Sequence, residues 1–407
     1  MPADTATPLP AVDERVLIWL LMAVQFINIV DFMMVMPLAP DFAAALGFPA
    51  SSIGVVASAY SIASAIAGFI AALFLDQYSR KRALLFCLAG LSIATMACTL
   101  AWNLEAMVLA RFIAGLFGGP MFGLCAAFVA DYVPHQRRGA AMGKLMGAFS
   151  LGSILGVPFG LELAHMFDWR APFFAIAALG LIVLAFGHRY LPYHKPFVEH
   201  EKIGKRISAI ARMLQSKLVL GAYGCSAIAM LAGFLLIPNI AAFVQLNMGY
   251  PRDDLGLLYL VGGACTFFTQ RLAGMLVDRT SATLTSIVFG IGFIATIYGG
   301  FVVAWAAIPV VAYFALFMIM MSGRGVAAQT LASKVPAPAQ RASFMVVQGA
   351  VINIASSIGA YSSSLILSEQ NGKLLHMETL GSITIALSLL VPFVFWYVER
   401  QVRGREH

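Results

Sequence analysis

Residues 51–84 read SSIGVVASAYSIASAIAGFIAALFLDQYSRKRAL. The stretch up to Leu75 carries no charge, and then Asp76, Arg80, Lys81 and Arg82 arrive within two turns of chain. About 20 apolar residues are needed to cross a bilayer as a helix, so the first part is a membrane span and the charged part its exit into water. The same reading holds outward in both directions. The chain has 407 residues, of which 60% are apolar and 11% charged, with a mean hydropathy of +0.86. A soluble domain has about half its residues apolar and about a quarter charged, so this composition excludes one.

Apolar runs bounded by charge, Pro or Gly predict spans near 15–38, 51–75, 82–102, 106–130, 141–166 and 172–190, and again near 217–245, 254–277, 282–304, 308–331, 342–368 and 376–398. Residues 191–216 are the longest polar stretch, with Lys195, Glu199, Glu201, Lys202, Lys205, Arg206 and Arg212. They read as a linker carrying a short surface helix from about residue 204. The expected layout is a tail at 1–14, six spans at 15–190, the linker, six spans at 217–398 and a tail at 399–407. An internal repeat supports it. Leu75-Asp76 and Val277-Asp278 end the second and eighth spans, Val133-Pro134 and Val335-Pro336 leave the fourth and tenth, and both pairs are 202 residues apart. The fold class is therefore all-α: twelve transmembrane helices in two pseudo-symmetric six-helix bundles, with a site expected where they meet.

The formal charge of +7 does not mark a nucleic-acid surface, because the basic residues fall in short clusters between apolar runs. Arg80–Arg82, Arg137, Arg138, the linker and Arg400, Arg403 and Arg405 lie on one side, and Arg170, Arg252 and Lys373 on the other. The richer side is expected in the cytoplasm together with both termini. Cys87, Cys98, Cys125, Cys225 and Cys265 all lie in apolar stretches without metal-ligand spacing, and read as inert thiols. The seven histidines are scattered, and no metalloprotease, phosphate-loop or nucleophile motif appears. No enzyme, cofactor or metal is expected. The tail before the first span lacks a basic n-region and a cleavage site, so no processing is expected.

Four local patterns carry the functional reading. Ala72-Leu-Phe-Leu-Asp76-Gln-Tyr-Ser79-Arg80-Lys81-Arg82-Ala-Leu84 resembles the loop signature G-x-L-x-D-x-x-G-R-[KR]-x-x-L of the major facilitator superfamily, with both glycines replaced. Gly274-Met-Leu-Val-Asp278-Arg279 is its weaker second copy. Arg111-Phe-Ile-Ala-Gly115 is similar to the R-x-x-x-G signature of the fourth span, and Gly152-Ser-Ile-Leu-Gly156-Val-Pro158-Phe-Gly160 resembles the antiporter signature with proline one place later. That shift, before Trp169-Arg170, is similar to the arabinose-efflux and nucleoside-efflux-like branch of twelve-span drug/proton antiporters. The resemblance covers the whole chain and implies the major facilitator fold and alternating access. It further implies that Asp76, Arg80 and Asp131 form a cytoplasmic latch holding the outward-facing state.

Gln25, Asn28 and Asp31 recur every third residue on one face of the first helix. With Pro37 taken as that helix's outer end, Asp31 matches Arg111 in depth. An arginine there is costly unless paired or able to snorkel, and the functional reading is a protonatable carboxylate held by Arg111; a structural ion pair, or Asp31 reaching the outer surface, is the alternative. Glu162, Asn239, Arg324, Asn353, Ser357 and Tyr361 are further candidates for the cavity wall. Arg271, like Arg324, is an intramembrane arginine able to receive an anionic substrate or to pair with Asp278. The Met33, Met34, Met36 and Met318, Met320, Met321 groups read as packing.

The leading expectation is a monomeric, proton-coupled efflux antiporter in a bacterial inner membrane. Its partners would be protons, a small organic compound and lipid, with no nucleic acid. A symporter or uniporter for a sugar or nucleoside is the alternative on the same fold. A lipid flippase or a non-transporting sensor is the alternative of another class.

Overall fold

The computed structural model describes residues 13–74, 78–193, 203–303, 308–336 and 341–406. Helices α1 Glu14–Leu46, α2 Ala50–Ala71, α3 Arg80–Cys98, α4 Leu104–Tyr132, α5 Arg138–Met166 and α6 Arg170–Tyr190 form one bundle. Helices α7 Lys217–Leu246, α8 Arg252–Arg279, α9 Ala282–Val302, α10 Val310–Ser333, α11 Ser343–Ile366 and α12 Met377–Gly404 form the other. All twelve are long and apolar enough to cross a membrane. A thirteenth helix, Ile203–Leu214, precedes α7, and its Ile210 and Met213 share a core with Leu73 of the first half and Leu218 of the second. Glu14, Lys217 and Gly404 lie at one end of the molecule, here the terminal end. The connections 47–49, 247–251 and 367–376 lie at the other, the distal end. There β1 Ser368–Gln370 and β2 Lys373–Leu375 make a small antiparallel hairpin between α11 and α12.

Helix α1 does not stop at Pro37. It runs through Pro37 and Pro40 to Leu46 and ends at Gly47, whose φ of 73° lies in the left-handed region and whose N–H donates to the Ala43 carbonyl. A proline removes one donor from a helix, but in an apolar bundle the chain loses more by leaving the helix than by forgoing a single bond. Asp31 therefore sits fifteen residues before the helix end, about 22 Å at 1.5 Å per residue, and is deeper than Pro37 suggested.

The glycine-rich run of α5 has a local cause and a packing consequence. Residues Gly152–Gly156 form a π-turn, with the Val157 N–H donating to the Gly152 carbonyl. Pro158 follows, and its ring and missing N–H are what an ordinary α-turn there cannot accommodate. Gly152, Gly156 and Gly160 lie against Ile29, Val30 and Met34 of α1, where an added Cβ would be tight at Gly152 and would collide at Gly156 and Gly160. The next register, Ser153 and Ile154, approaches Gly263 of α8 in the other half.

The halves meet along α2 with α11, α5 with α8 and α1 with α7. Gly54 of α2 is the closest backbone approach, since a Cβ there would run into the Ala360 carbonyl and the Ser363 and Ser364 hydroxyls of α11. Helix α7 breaks at Leu235, takes a 3-10 turn over Ile237–Asn239 at Pro238, and resumes. This break lets Phe234 stack on Phe32 of α1, ring centroids 6.2 Å apart.

Candidate functional site

Asp31 and Arg111 are brought together in the core of the first half. Asp31 is 0% and Arg111 1% exposed. Arg111 Nη1 donates to both carboxylate oxygens at 3.0 Å, and Nη2 donates to the Asp31 main-chain carbonyl at 3.2 Å. Thr95 of α3 donates its hydroxyl to Asp31 Oδ1 at 2.7 Å. The guanidinium lies over the Tyr60 ring of α2, 4.6 Å from its centroid, and the Tyr60 hydroxyl donates to Asn28 Oδ1 at 3.1 Å. Four helices thus converge on one charge pair in a dry interior. There Coulomb attraction is strong, but it must offset the cost of removing both ions from water.

Gly118 makes the crowding possible, because a Cβ at that position would meet the Tyr60 hydroxyl and lie 2.8 Å from Asn28 Oδ1. The ring of Phe32 lies 5.2 Å from that of Tyr60. With the Phe32–Phe234 stack, this gives an unbroken packed path from the Arg111 guanidinium to the broken helix of the other half. Gln25 is buried on the same helix face as Asn28, and its Oε1 has no hydrogen-bond partner among the described residues.

The remaining candidates are dispersed. Asn239 is fully buried at the α7 break and donates to the Ser363 hydroxyl at 2.8 Å. Ser357 donates to the Ser58 carbonyl across the seam at 3.0 Å. Asn353 is half-buried one turn away, while Tyr361 is 49% exposed and Glu162 is exposed as well. Arg271 is exposed and lies over the Phe267 ring, with no bond to Asp278 among the described residues. Arg324 is 4% exposed between α9 and α12. Arg80 pairs with Asp131 at 2.5 Å, joining the start of α3 to the end of α4 inside one half, and Asp76 lies outside the described residues.

Polar contacts that span the halves cluster at the distal end. Arg252 at the start of α8 grips Asp41 of α1 with two donors, Nε at 2.8 Å to Oδ1 and Nη2 at 2.6 Å to Oδ2. His165 at the end of α5 lies 2.9 Å from Asp253. Glu369 in β1 accepts from the Ala50 N–H at 2.6 Å, while Asn247 of the loop after α7 exchanges two hydrogen bonds with Leu374 in β2. The hairpin is therefore a strap, fastened to its own half and hooked onto the N-terminus of α2. The sequence alone gave no reason to select Thr95 or Tyr60, which are ordinary residues of apolar spans. Asp41 and Arg252 read as loop charges until the fold brings them together.

A family model described as Major Facilitator Superfamily matches residues 21–360. The inner membrane transport protein YdhP of Escherichia coli K12 is 24% identical over 369 residues, covering 88% of this chain and 90% of that protein. A probable sugar efflux transporter of Helicobacter pylori HPAG1 is 25% identical over 262 residues, covering 63% of this chain and 65% of its own. Among solved structures, a D-xylose–proton symporter superposes with a TM-score of 0.75 at 14% identity, covering 93% of this chain and 97% of that one. Such identity carries the fold only.

Proposed function

Because the chain belongs to the Major Facilitator Superfamily and is a multi-pass membrane transporter rather than an enzyme, we propose that it is a proton-coupled antiporter exporting a small organic compound. The observation that carries the proposal is the Asp31–Arg111 pair, an acid at 0% exposure on the helix that also packs against the other half. Protonation of that carboxylate is the proposed coupling event. Ionised, the carboxylate accepts two hydrogen bonds from the guanidinium, which also donates to the Asp31 main-chain carbonyl; protonated, it loses the charge that holds Arg111. A change at Arg111 is then felt through Tyr60 and Phe32 at Phe234, so protonation and the relation of the halves are linked. Proton and substrate would exclude one another at this site, which lets the proton gradient drive export. Gln25 Oε1 and Asn28, on the same face as Asp31, are the polar groups placed to meet the substrate. The name of the Helicobacter pylori relative favours export as the direction.

The Lys and Arg distribution supports cytoplasmic termini, the inner membrane protein of Escherichia coli among the relatives supports a bacterial inner membrane location, and the proposed unit of transport is the monomer. On that orientation the strapped distal end faces outward, and its opening requires release of Asp41–Arg252, His165–Asp253 and Glu369–Ala50. The Arg80–Asp131 pair lies within one half, and Asp76, the third member of the proposed latch, lies outside the described residues. The expectation for Asp131→Asn is slower turnover and altered labelling of a cysteine placed at the terminal end. Unchanged labelling and turnover would leave Arg80 only its role in topology.

The direct test uses inverted membrane vesicles energised to an acidic lumen and a pH-sensitive dye, with a panel of neutral, cationic and anionic compounds. Addition of a substrate should discharge the gradient only in vesicles that contain the protein. A panel in which every active compound instead acidifies the lumen would assign symport.

A further inference from the structure

Arg324 is a buried cation with no counter-charge beside it among the described residues. It stands in the middle of α10, fourteen residues from Val310 and nine from Ser333, and is 4% exposed. Nη1 donates to the Ser388 hydroxyl of α12 at 3.3 Å, and the guanidinium carbon lies 4.4 Å from the centroid of the Phe293 ring of α9. Nε and Nη2 are buried and have no partner among the described residues. Ser286, two turns from Phe293 on the same face of α9, is buried with its hydroxyl also unpartnered.

The missing partner is a property of the sequence and not of one rotamer. From residue 217 onward the acidic residues are Asp253, Asp254, Asp278, Glu369, Glu378, Glu399 and Glu406. Asp253 and Asp254 open α8, Asp278 closes it, Glu369 belongs to the hairpin and Glu378 opens α12. Glu399 stands eleven residues beyond Ser388, about 16 Å along the helix, and is engaged by the Thr283 N–H and by Arg403. No acidic residue stands in the interior of this half. The first half shows the opposite arrangement, since its buried Arg111 has Asp31.

The two vacant donors have a recognisable geometry. Nε and Nη2 are the pair with which Arg252 holds the two oxygens of Asp41. In Arg324 the same parallel fork is open while Nη1 is occupied. Arginine remains protonated in proteins, so the charge cannot be relieved by loss of a proton. A planar anion with two oxygens completes the fork. A single negative charge neutralises the site, whereas a dianion would leave a charge buried at mid-membrane depth. Phe293, fully buried and covered by the guanidinium, backs the fork with an apolar wall. Met321, three residues earlier on α10, lies against Gly233 of α7, so the site adjoins the helix that meets the first half at Phe234.

We propose that Arg324, with Ser388 and Phe293, is a binding site for the carboxylate of a small organic acid, and that such acids are the compounds this transporter carries. The second clause rests on the transport reading above; the first does not.

The test separates them. The purified full-length protein in detergent is unfolded thermally at constant ionic strength with sodium benzoate or sodium acetate replacing sodium chloride, and with benzamide as the neutral isostere of benzoate. Benzoate at saturating concentration should raise the midpoint by about 3 °C or more, as ligand binding to the native state alone does, and benzamide should not. Arg324→Gln should abolish the shift, and Arg324→Lys, which lacks the fork, should weaken it at least about tenfold in concentration. Without ligand, Arg324→Met should unfold at or above the wild-type temperature, because it removes an uncompensated buried charge; an arginine kept for structure would make that variant clearly less stable. Equal shifts in wild type and Arg324→Gln, or with benzoate and benzamide, would overturn the site. In proteoliposomes, labelled benzoate should show counterflow that Arg324→Gln eliminates. Binding without counterflow would overturn the assignment of organic acids as cargo while leaving the site in place.

Discussion

Asp31→Asn should reduce gradient-driven export to the level of vesicles without the protein, while exchange of substrate down its own gradient continues. The substitution is close to isosteric. An asparagine oxygen can still accept from the Thr95 hydroxyl and from Arg111 Nη1, so the convergence of α1, α3 and α4 is largely kept. What disappears is the group that exists in two protonation states. In the proposed cycle the wild type alternates between an ionised carboxylate that attracts Arg111 and a neutral acid whose hold on it is weaker. In the variant only the neutral form exists, so substrate movement no longer obliges a proton to move. Replacement leaves the guanidinium partly unpaired, so some stability is lost, about 1–3 kcal/mol for a hydrogen-bonded buried group, and the protein should still purify as a single species. Export by the variant is measured under an imposed pH gradient, beside substrate exchange with no gradient. Full coupled export would eliminate Asp31 as the proton site and direct attention to the exposed Glu162. Loss of both activities in a well-folded variant would make Asp31 a substrate ligand and not a coupling group.

The parts of this molecule that could be read from sequence are those governed by local rules. Span number and position follow from apolar run length, and the division into halves from the 202-residue offset of Asp76 and Asp278. The encounter of Asp31 with Arg111 was legible because the expense of a charge in lipid leaves few alternatives to pairing. Features that depend on tertiary choice were not legible. Pro37 looks like a helix end by local propensity, yet α1 passes through it, because the surrounding bundle makes continuation the better solution. Thr95 and Tyr60 complete the charge site from spans whose other members are apolar, and one hydroxyl among many in such spans carries no signal of its own. The strap at the distal end joins residues separated by 211 positions in Asp41–Arg252 and by 319 in Ala50–Glu369, distances at which sequence pattern is silent. Arg324 shows the reverse case. Its burial was expected, but its significance lies in a partner that is missing, and absence is visible only when every neighbouring acidic residue has been placed.

Arg111→Ala should be the most damaging single change in the first half, lowering folding stability by about 3–5 kcal/mol, the range found when one member of a buried ion pair is removed. The loss has two sources that can be separated. The first is the Asp31 carboxylate, which at 0% exposure keeps only the Thr95 hydroxyl as a donor and must either stay charged without a counter-ion or take up a proton on folding. The second is the volume of a fully buried arginine, whose guanidinium fills the space beside the Tyr60 ring and whose removal leaves a cavity among α1, α2, α3 and α4. Arg111→Met fills most of that volume and retains only the charge defect, so the difference between the two variants measures the cavity. Adding Asp31→Asn to Arg111→Met removes the unpaired carboxylate, and the double variant should recover at least about 2 kcal/mol relative to Arg111→Met, the coupling expected of groups in one buried network. Thermal unfolding of five proteins in detergent, the wild type, Arg111→Ala, Arg111→Met, Asp31→Asn and the double variant, gives these differences directly. Additive losses would mean that Asp31 and Arg111 do not stabilise one another, and that the pair is held together by helix packing alone. Recovery of stability without recovery of gradient-driven export is the expected pattern, because the double variant restores neutrality to the core but has no proton to exchange.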